Sequence, residues 1–174
     1  RTMYKLRADV AVGTVPEVSV DAIFGDTEGL PDPRHPDLGR RTSHNPSIPE
    51  LPFSVWDEKR IRLGIADGSR DAEIGKSTLE ELNMVPTAVS FEKGCYVGQE
   101  LTARMEHRGL AKRHLVALGF SGPLPPTGSD ISIAGQVIGA MRSSCGQIGL
   151  ALLRDDSLQL LKDQNEQSPF HLLG

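Results

Sequence analysis

The densest group of chemically versatile residues is the run Phe91-Glu92-Lys93-Gly94-Cys95-Tyr96-Val97-Gly98-Gln99-Glu100. Cys95 stands two residues after Lys93 and just before a segment whose spacing predicts a helix. The unpaired amides at a helix start and a nearby ammonium both favour thiolate over thiol, so Cys95 is a candidate functional thiol with Lys93 as its activating neighbour. Gly94 and Gly98 let the backbone approach a ligand where a side chain would stand in the way. The other reading of the same residues is a small buried apolar cysteine in a glycine-containing turn. Cys145, between Ser144 and Gly146, has no activating neighbour in sequence and reads as structural. The two cysteines and five histidines show no tight ligand spacing, so no dedicated zinc site is expected. Two cysteines also fall short of the four that an iron-sulfur cluster held permanently by one chain usually needs.

Two further groups are candidates. Glu80 and Glu81 precede Asn83, and a buried carboxylate there can accept two parallel hydrogen bonds from an amidine-like N–C–N edge such as a pterin presents. Glu100, Arg104 and Arg108 recur every four residues, which makes an exposed ladder worth a few tenths of a kcal/mol per pair, roughly. Arg104, Arg108, Lys112 and Arg113 outnumber Glu106, and that local excess of positive charge either is solvated or holds ligand carboxylates or phosphates. His107 and His114 bracket the patch as surface residues.

These residues need elements to position them. Val97, Leu101 and Met105 place three apolar side chains on one stripe of a helix ending at Gly109. A second helix is expected over 55–63, capped by Ser54, with Trp56, Ile61 and Leu63 as its apolar stripe. Short strands are expected over 10–15 and 18–24, and the proline-rich stretch 25–52 reads as a long loop. Four β-like runs, 114–120, 130–133, 136–142 and 147–153, separated by Gly and Pro turns, predict a small antiparallel barrel or sandwich. The expected organisation is α+β: an α+β region over 1–110, then a C-terminal β-barrel domain and tail over 111–174. The tail beyond residue 154 has no clear pattern.

The chain has 19 Lys+Arg against 23 Asp+Glu, a formal charge of −4, which argues against a general binder of nucleic acid. A pure RNA-contact module built on the arginines is therefore a weak reading. No apolar run approaches the roughly 18 residues of a membrane span, and cysteine usage points to a reducing compartment, so a cytoplasmic monomer is expected. The sequence opens on Arg1-Thr2-Met3 with no initiator methionine, as if an upstream portion were missing.

The string Lys93-Gly94-Cys95-Tyr96-Val97-Gly98-Gln99-Glu100, followed by Arg104 and Arg108-Gly109, resembles the hallmark K-G-C-Y-x-G-Q-E of the YgfZ family of folate-binding proteins, relatives of the glycine cleavage T protein. Asp32-Pro33-Arg34 with Leu38-Gly39, the run Arg60-Ile61-Arg62-Leu63-Gly64-Ile65, and the segment 139–154 resemble it in the same order. The resemblance covers about residues 1–154. It implies α/β domains around a central folate site closed by a C-terminal antiparallel barrel. It further implies tetrahydrofolate as ligand and a role in assembling or repairing the clusters of iron-sulfur enzymes, including radical enzymes that modify tRNA. Reduced folate and iron-sulfur clients or assembly proteins are then the partners. In that picture Cys95 is the critical thiol beside Lys93, Glu81 contacts the pterin, and Gly94, Tyr96, Gly98, Glu100 and Arg104 belong to the cofactor site. The alternative carried by the same resemblance is a folate-dependent aminomethyltransferase. The acidic residue linked to that transfer lies in an N-terminal portion that this sequence does not contain, and Val85 stands where relatives often have Asp.

Overall fold

Short apolar runs organise the C-terminal half, because successive residues of a strand face opposite sides of the sheet and here both sides of the central strands are covered. A computed structural model describes residues 19–25, 29–43, 49–109, 111–163 and 168–173. Strands β4 (Arg113–Phe120), β5 (Asp130–Ile133), β6 (Gln136–Cys145), β7 (Ile148–Arg154) and β8 (Phe170–Leu172) form one curled antiparallel sheet in the order β5-β6-β7-β4-β8. The four strands read from sequence are thus present, each within a few residues. Register shifts between Ile131 and Ser132 and between Met141 and Ser144 bend the sheet, as bulges do.

The two central strands are buried on both faces. Leu118, Phe120, Ala151 and Leu153 join Ile131, Ile133, Ile138 and Met141 in the core enclosed by the curled sheet. Leu115, Ala117, Ile148 and Leu150 point the other way and pack on Ile61, Ala66 and Leu82 of the preceding region. The period-2 pattern therefore serves two cores at once and welds the sheet to the helix before it. The tail, unread from sequence, completes the barrel side: helix α4 (Asp155–Asp163) sets Leu161 into the core, and β8 pairs with β4 from Leu118 to Phe120.

Upstream, β1 (Val20–Ile23), β2 (Leu30–Pro31) and β3 (Arg40–Ser43) make a three-stranded antiparallel sheet ordered β1-β3-β2. The proline-rich stretch is accordingly not one long loop. Pro31 lies in edge strand β2, and Pro36 starts a short 3-10 turn over Pro36–Leu38, which buries Leu38. The strand expected over 10–15 lies outside the described residues.

Helix α1 (Phe53–Arg62) begins behind Pro52, with no side-chain cap from Ser54. Its buried residues are Asp57, Arg60 and Ile61; of the expected apolar stripe Ile61 is fully buried, while Trp56 and Leu63 are half-buried. Helix α2 is a single turn (Val85–Ala88), and α3 spans Gln99–Arg108 between Gly98 and Gly109, both left-handed. No residue of α3 is buried; Val97 and Leu101 are exposed and Met105 is half-buried, so the predicted stripe exists without a partner among the described residues.

Candidate functional site

Helix α3 starts at Gln99, three residues later than the activation argument for Cys95 requires. Cys95 is exposed, which overturns its reading as a small buried residue, and it lies outside the first turn, where helix-end electrostatics act. Lys93 carries its ammonium 4.8 Å from the centre of the Tyr96 ring. The Tyr96 amide donates to Gln99 Oε1 at 3.4 Å, folding the segment against the helix start. The Tyr96 hydroxyl is buried and has no hydrogen-bond partner among the described residues. Glu100 and Arg104 pair with each other at 2.5 Å on the exposed face of α3, as the ladder spacing predicts.

Glu81 is buried and does not meet the Cys95 segment in any described contact. Its Oε1 accepts from Arg113 Nε at 3.0 Å and Nη2 at 2.7 Å, while Oε2 accepts the Thr78 amide at 3.2 Å. The turn holding it is stitched to β4: Leu115 N–H donates to the Glu81 carbonyl, and Asn83 Nδ2 donates to the Leu115 carbonyl at 2.7 Å. Asn83 adopts φ 56°, a left-handed conformation that Asn tolerates better than most residues. Arg113 is thereby withdrawn from the positive patch expected over 104–113, and both Glu81 oxygens that would read an N–C–N group already accept, Oε1 from the guanidinium and Oε2 from the Thr78 amide. Glu81 in this arrangement does not fit a pterin.

Sequence reasoning missed two features. The first is a buried hub on α1. The Arg60 guanidinium is fully buried and donates to Asp57 Oδ1 at 2.7 Å, Asp71 Oδ2 at 2.8 Å, the Ile65 carbonyl at 3.0 Å and Ser143 Oγ at 2.7 Å. Asp71 also accepts the Ser143 amide at 2.9 Å, so the hub ties α1 to β6. Cys145 ends β6 against the Ser54 carbonyl at 3.6 Å; burial first, then the charges of Asp57 and Glu58, raise its thiol, in keeping with a structural role. The second is a cleft between the small sheet and the start of α1, where Asp32 is buried between Arg34 at 2.8 Å and Arg41 at 3.0 Å. Asp-Pro-Arg was the sequence signal for it: the Arg34 amide and guanidinium both return to Asp32 across the proline.

Residues 112–170 match the family described as CAF17, C-terminal beta-barrel domain. The C-terminal sheet is similar to the CAF17 barrel. That match runs through α4 and ends at Phe170, the first residue of β8, so it takes in most of the tail that carried no pattern in sequence. Mouse (Mus musculus) iron-sulfur cluster assembly factor IBA57, mitochondrial, is 32% identical over 189 residues, covering 91% of this chain and 53% of its own length. The human protein of the same name is 30% identical over 187 residues, covering 90% of this chain and 52% of its own. A homolog from the fungus Chaetomium globosum is 38% identical over 128 residues, covering 69% and 29%. The chain spans about half the length of the mouse and human relatives it matches. These similarities are to a CAF17-type C-terminal barrel and to IBA57 assembly factors. They overturn the expectation of a cytoplasmic protein, since the IBA57 relatives are named as mitochondrial.

Among the described residues no group of three or more His, Cys, Asp or Glu side chains is placed to hold a metal ion. No helix there is long and apolar enough to cross a membrane.

Proposed function

We propose that this chain works in iron-sulfur cluster assembly in mitochondria, with Cys95 as the thiol that engages the cluster cargo. The observation carrying this reading is the similarity to IBA57 assembly factors over nine-tenths of the chain, joined to the exposure of Cys95. An exposed cysteine can reach iron on another protein, whereas Cys145 is held against α1. A cluster usually needs four cysteine-type ligands, so a single thiolate acts by exchange with a carrier or client. The Cys95 thiol loses its proton, its sulfur lone pair binds one iron, and the displaced ligand thiolate takes up a proton. No electron moves in that step. Clients in this reading include radical enzymes that modify tRNA.

Reduced folate is the second part of the proposal and rests on the superfamily similarity. No step of the exchange runs through it, and Glu81 as placed is not its anchor. The test is complementation: in mitochondria depleted of their own assembly factor, this chain restores cluster-dependent enzyme activity. Cys95→Ala then removes the restoration with an unchanged unfolding midpoint, while Cys145→Ala retains it. Full restoration by Cys95→Ala overturns the thiol role.

A further inference from the structure

From Phe91 to Glu100 every residue is exposed except Tyr96 and Gln99, which are half-buried. These two close a turn on themselves. The Gln99 amide donates to the Tyr96 carbonyl at 3.2 Å, and between them Gly98 has φ 88° and ψ −3°. Those are the bond and the third-residue angles of a type II turn, so Gly98 serves the turn in place of the close ligand approach expected of it. In the other direction the Tyr96 amide donates to Gln99 Oε1 at 3.4 Å. The Gln99 side chain therefore ties down the peptide that joins Cys95 to Tyr96. On the other side of Cys95, Lys93 is held with its ammonium 4.8 Å from the centre of the Tyr96 ring, within cation–π range. The Tyr96 hydroxyl is buried, which anchors that ring. Cys95 is thus fastened through both neighbours while it remains exposed itself.

We infer that Gln99 is the positioning residue for Cys95, closing a clasp with Tyr96 and Lys93 that sets the thiol outward before a cluster-bearing partner arrives. This rests on the reading of Cys95 as the thiol that engages the cluster, and adds what holds it ready. Gly94, with open space about it, leaves the segment loose at its start, so without the clasp its ordering falls on the exchange step itself. Gln99 touches no iron in this scheme and acts only through the backbone. A Glu at the same place offers the same acceptor and suits the first turn of α3, whereas Leu has similar size and no acceptor.

Gln99→Leu, Gln99→Glu and Cys95→Ser are compared with wild type in the full chain. A nitroxide label on Cys95, with Cys145→Ser removing the other thiol, reads the mobility of the segment. Cluster transfer from a loaded carrier and alkylation of Cys95 by iodoacetamide are followed on the unlabelled proteins. Gln99→Leu sharpens the nitroxide spectrum and slows transfer about tenfold, the cost of fixing one backbone residue at the moment of exchange, while alkylation stays within roughly twofold. Gln99→Glu matches wild type in all three. An unchanged nitroxide spectrum in Gln99→Leu overturns the clasp, as does transfer as slow in Gln99→Glu as in Gln99→Leu. A loss of alkylation in Gln99→Leu overturns it too, since the thiol has then been covered and not freed. Failure of the thiol reading looks different: Cys95→Ser transfers at the wild-type rate, whereas failure of the clasp alone leaves Cys95→Ser inactive and Gln99→Leu fully active.

Discussion

Replacing Arg60 by Met tests how the two halves of the molecule are joined. The change keeps most of the aliphatic stem and removes a guanidinium that makes four hydrogen bonds without reaching solvent. Asp57 keeps Arg70 as a partner, with Nη1 at 3.0 Å. Asp71, fully buried, keeps only the amides of Asp67 at 2.7 Å and Ser143 at 2.9 Å, and no cation. Breaking a buried pair by deleting one member costs about 3–5 kcal/mol, because the remaining charge is uncompensated. For a chain of this size each kcal/mol lowers Tm by roughly 2–4 °C, so a fall of about 6–20 °C is expected. Urea denaturation gives the free energy directly. Asp71→Asn in the Arg60→Met background costs less than the sum of the two single changes, by about 1–3 kcal/mol, since the orphaned charge has gone. A loss below about 1 kcal/mol for Arg60→Met would refute the reasoning, as that is the range of exposed ion pairs.

Three other outcomes follow from the structure. Burial alone would raise the Asp32 carboxyl, but hydrogen bonds and charge from Arg34, with Arg41, outweigh it and hold the group at about 2 against an ordinary 3.8. The folded-state value is lowered, so its stabilisation is complete above about pH 4 and drains away as pH falls through 2; acid titration of Asp32→Asn loses about 1–2 kcal/mol of that dependence. Asn83→Ala costs about 1–2 kcal/mol in denaturant unfolding, from a lost bond to Leu115 and a strained left-handed backbone, while Asn83→Gly costs less. In the barrel, a Cβ at Gly139 runs into the backbone oxygen of Leu152 whereas one at Gly149 meets the flexible end of Met141. Gly139→Ala therefore destabilises by about 3 kcal/mol or more in thermal melts, and Gly149→Ala by less.

The barrel strands were legible because short apolar runs bounded by Gly or Pro turns are local signals, as in 114–120 and 147–153. What lies on their outer face was not legible, since Leu115 and Leu150 look the same whether they face a partner helix or a barrel interior. Helix α3 was predicted correctly as a helix, and its apolar stripe was not buried, because periodicity reports conformation and says nothing of a neighbour. Arg60 was invisible for a different reason. Asp57 and Arg60, three apart, read as a surface pair, and its other partners, Asp71 and Ser143, lie 11 and 83 residues further on. Glu81 was singled out as a buried acceptor and is one, but its partner Arg113 is 32 residues away and had been assigned to an open positive patch. In each failure, the missing information is which distant segment folds back.

The most direct measurement of the central claim is cluster transfer from a loaded carrier protein, followed by visible circular dichroism, with wild type, Cys95→Ser and Cys145→Ser compared side by side. Wild type and Cys145→Ser perturb the cluster spectrum as Cys95 replaces one ligand, and Cys95→Ser leaves the carrier's spectrum unaltered. An identical perturbation by Cys95→Ser would contradict the assignment, because the sulfur that is proposed to meet the iron would then be dispensable.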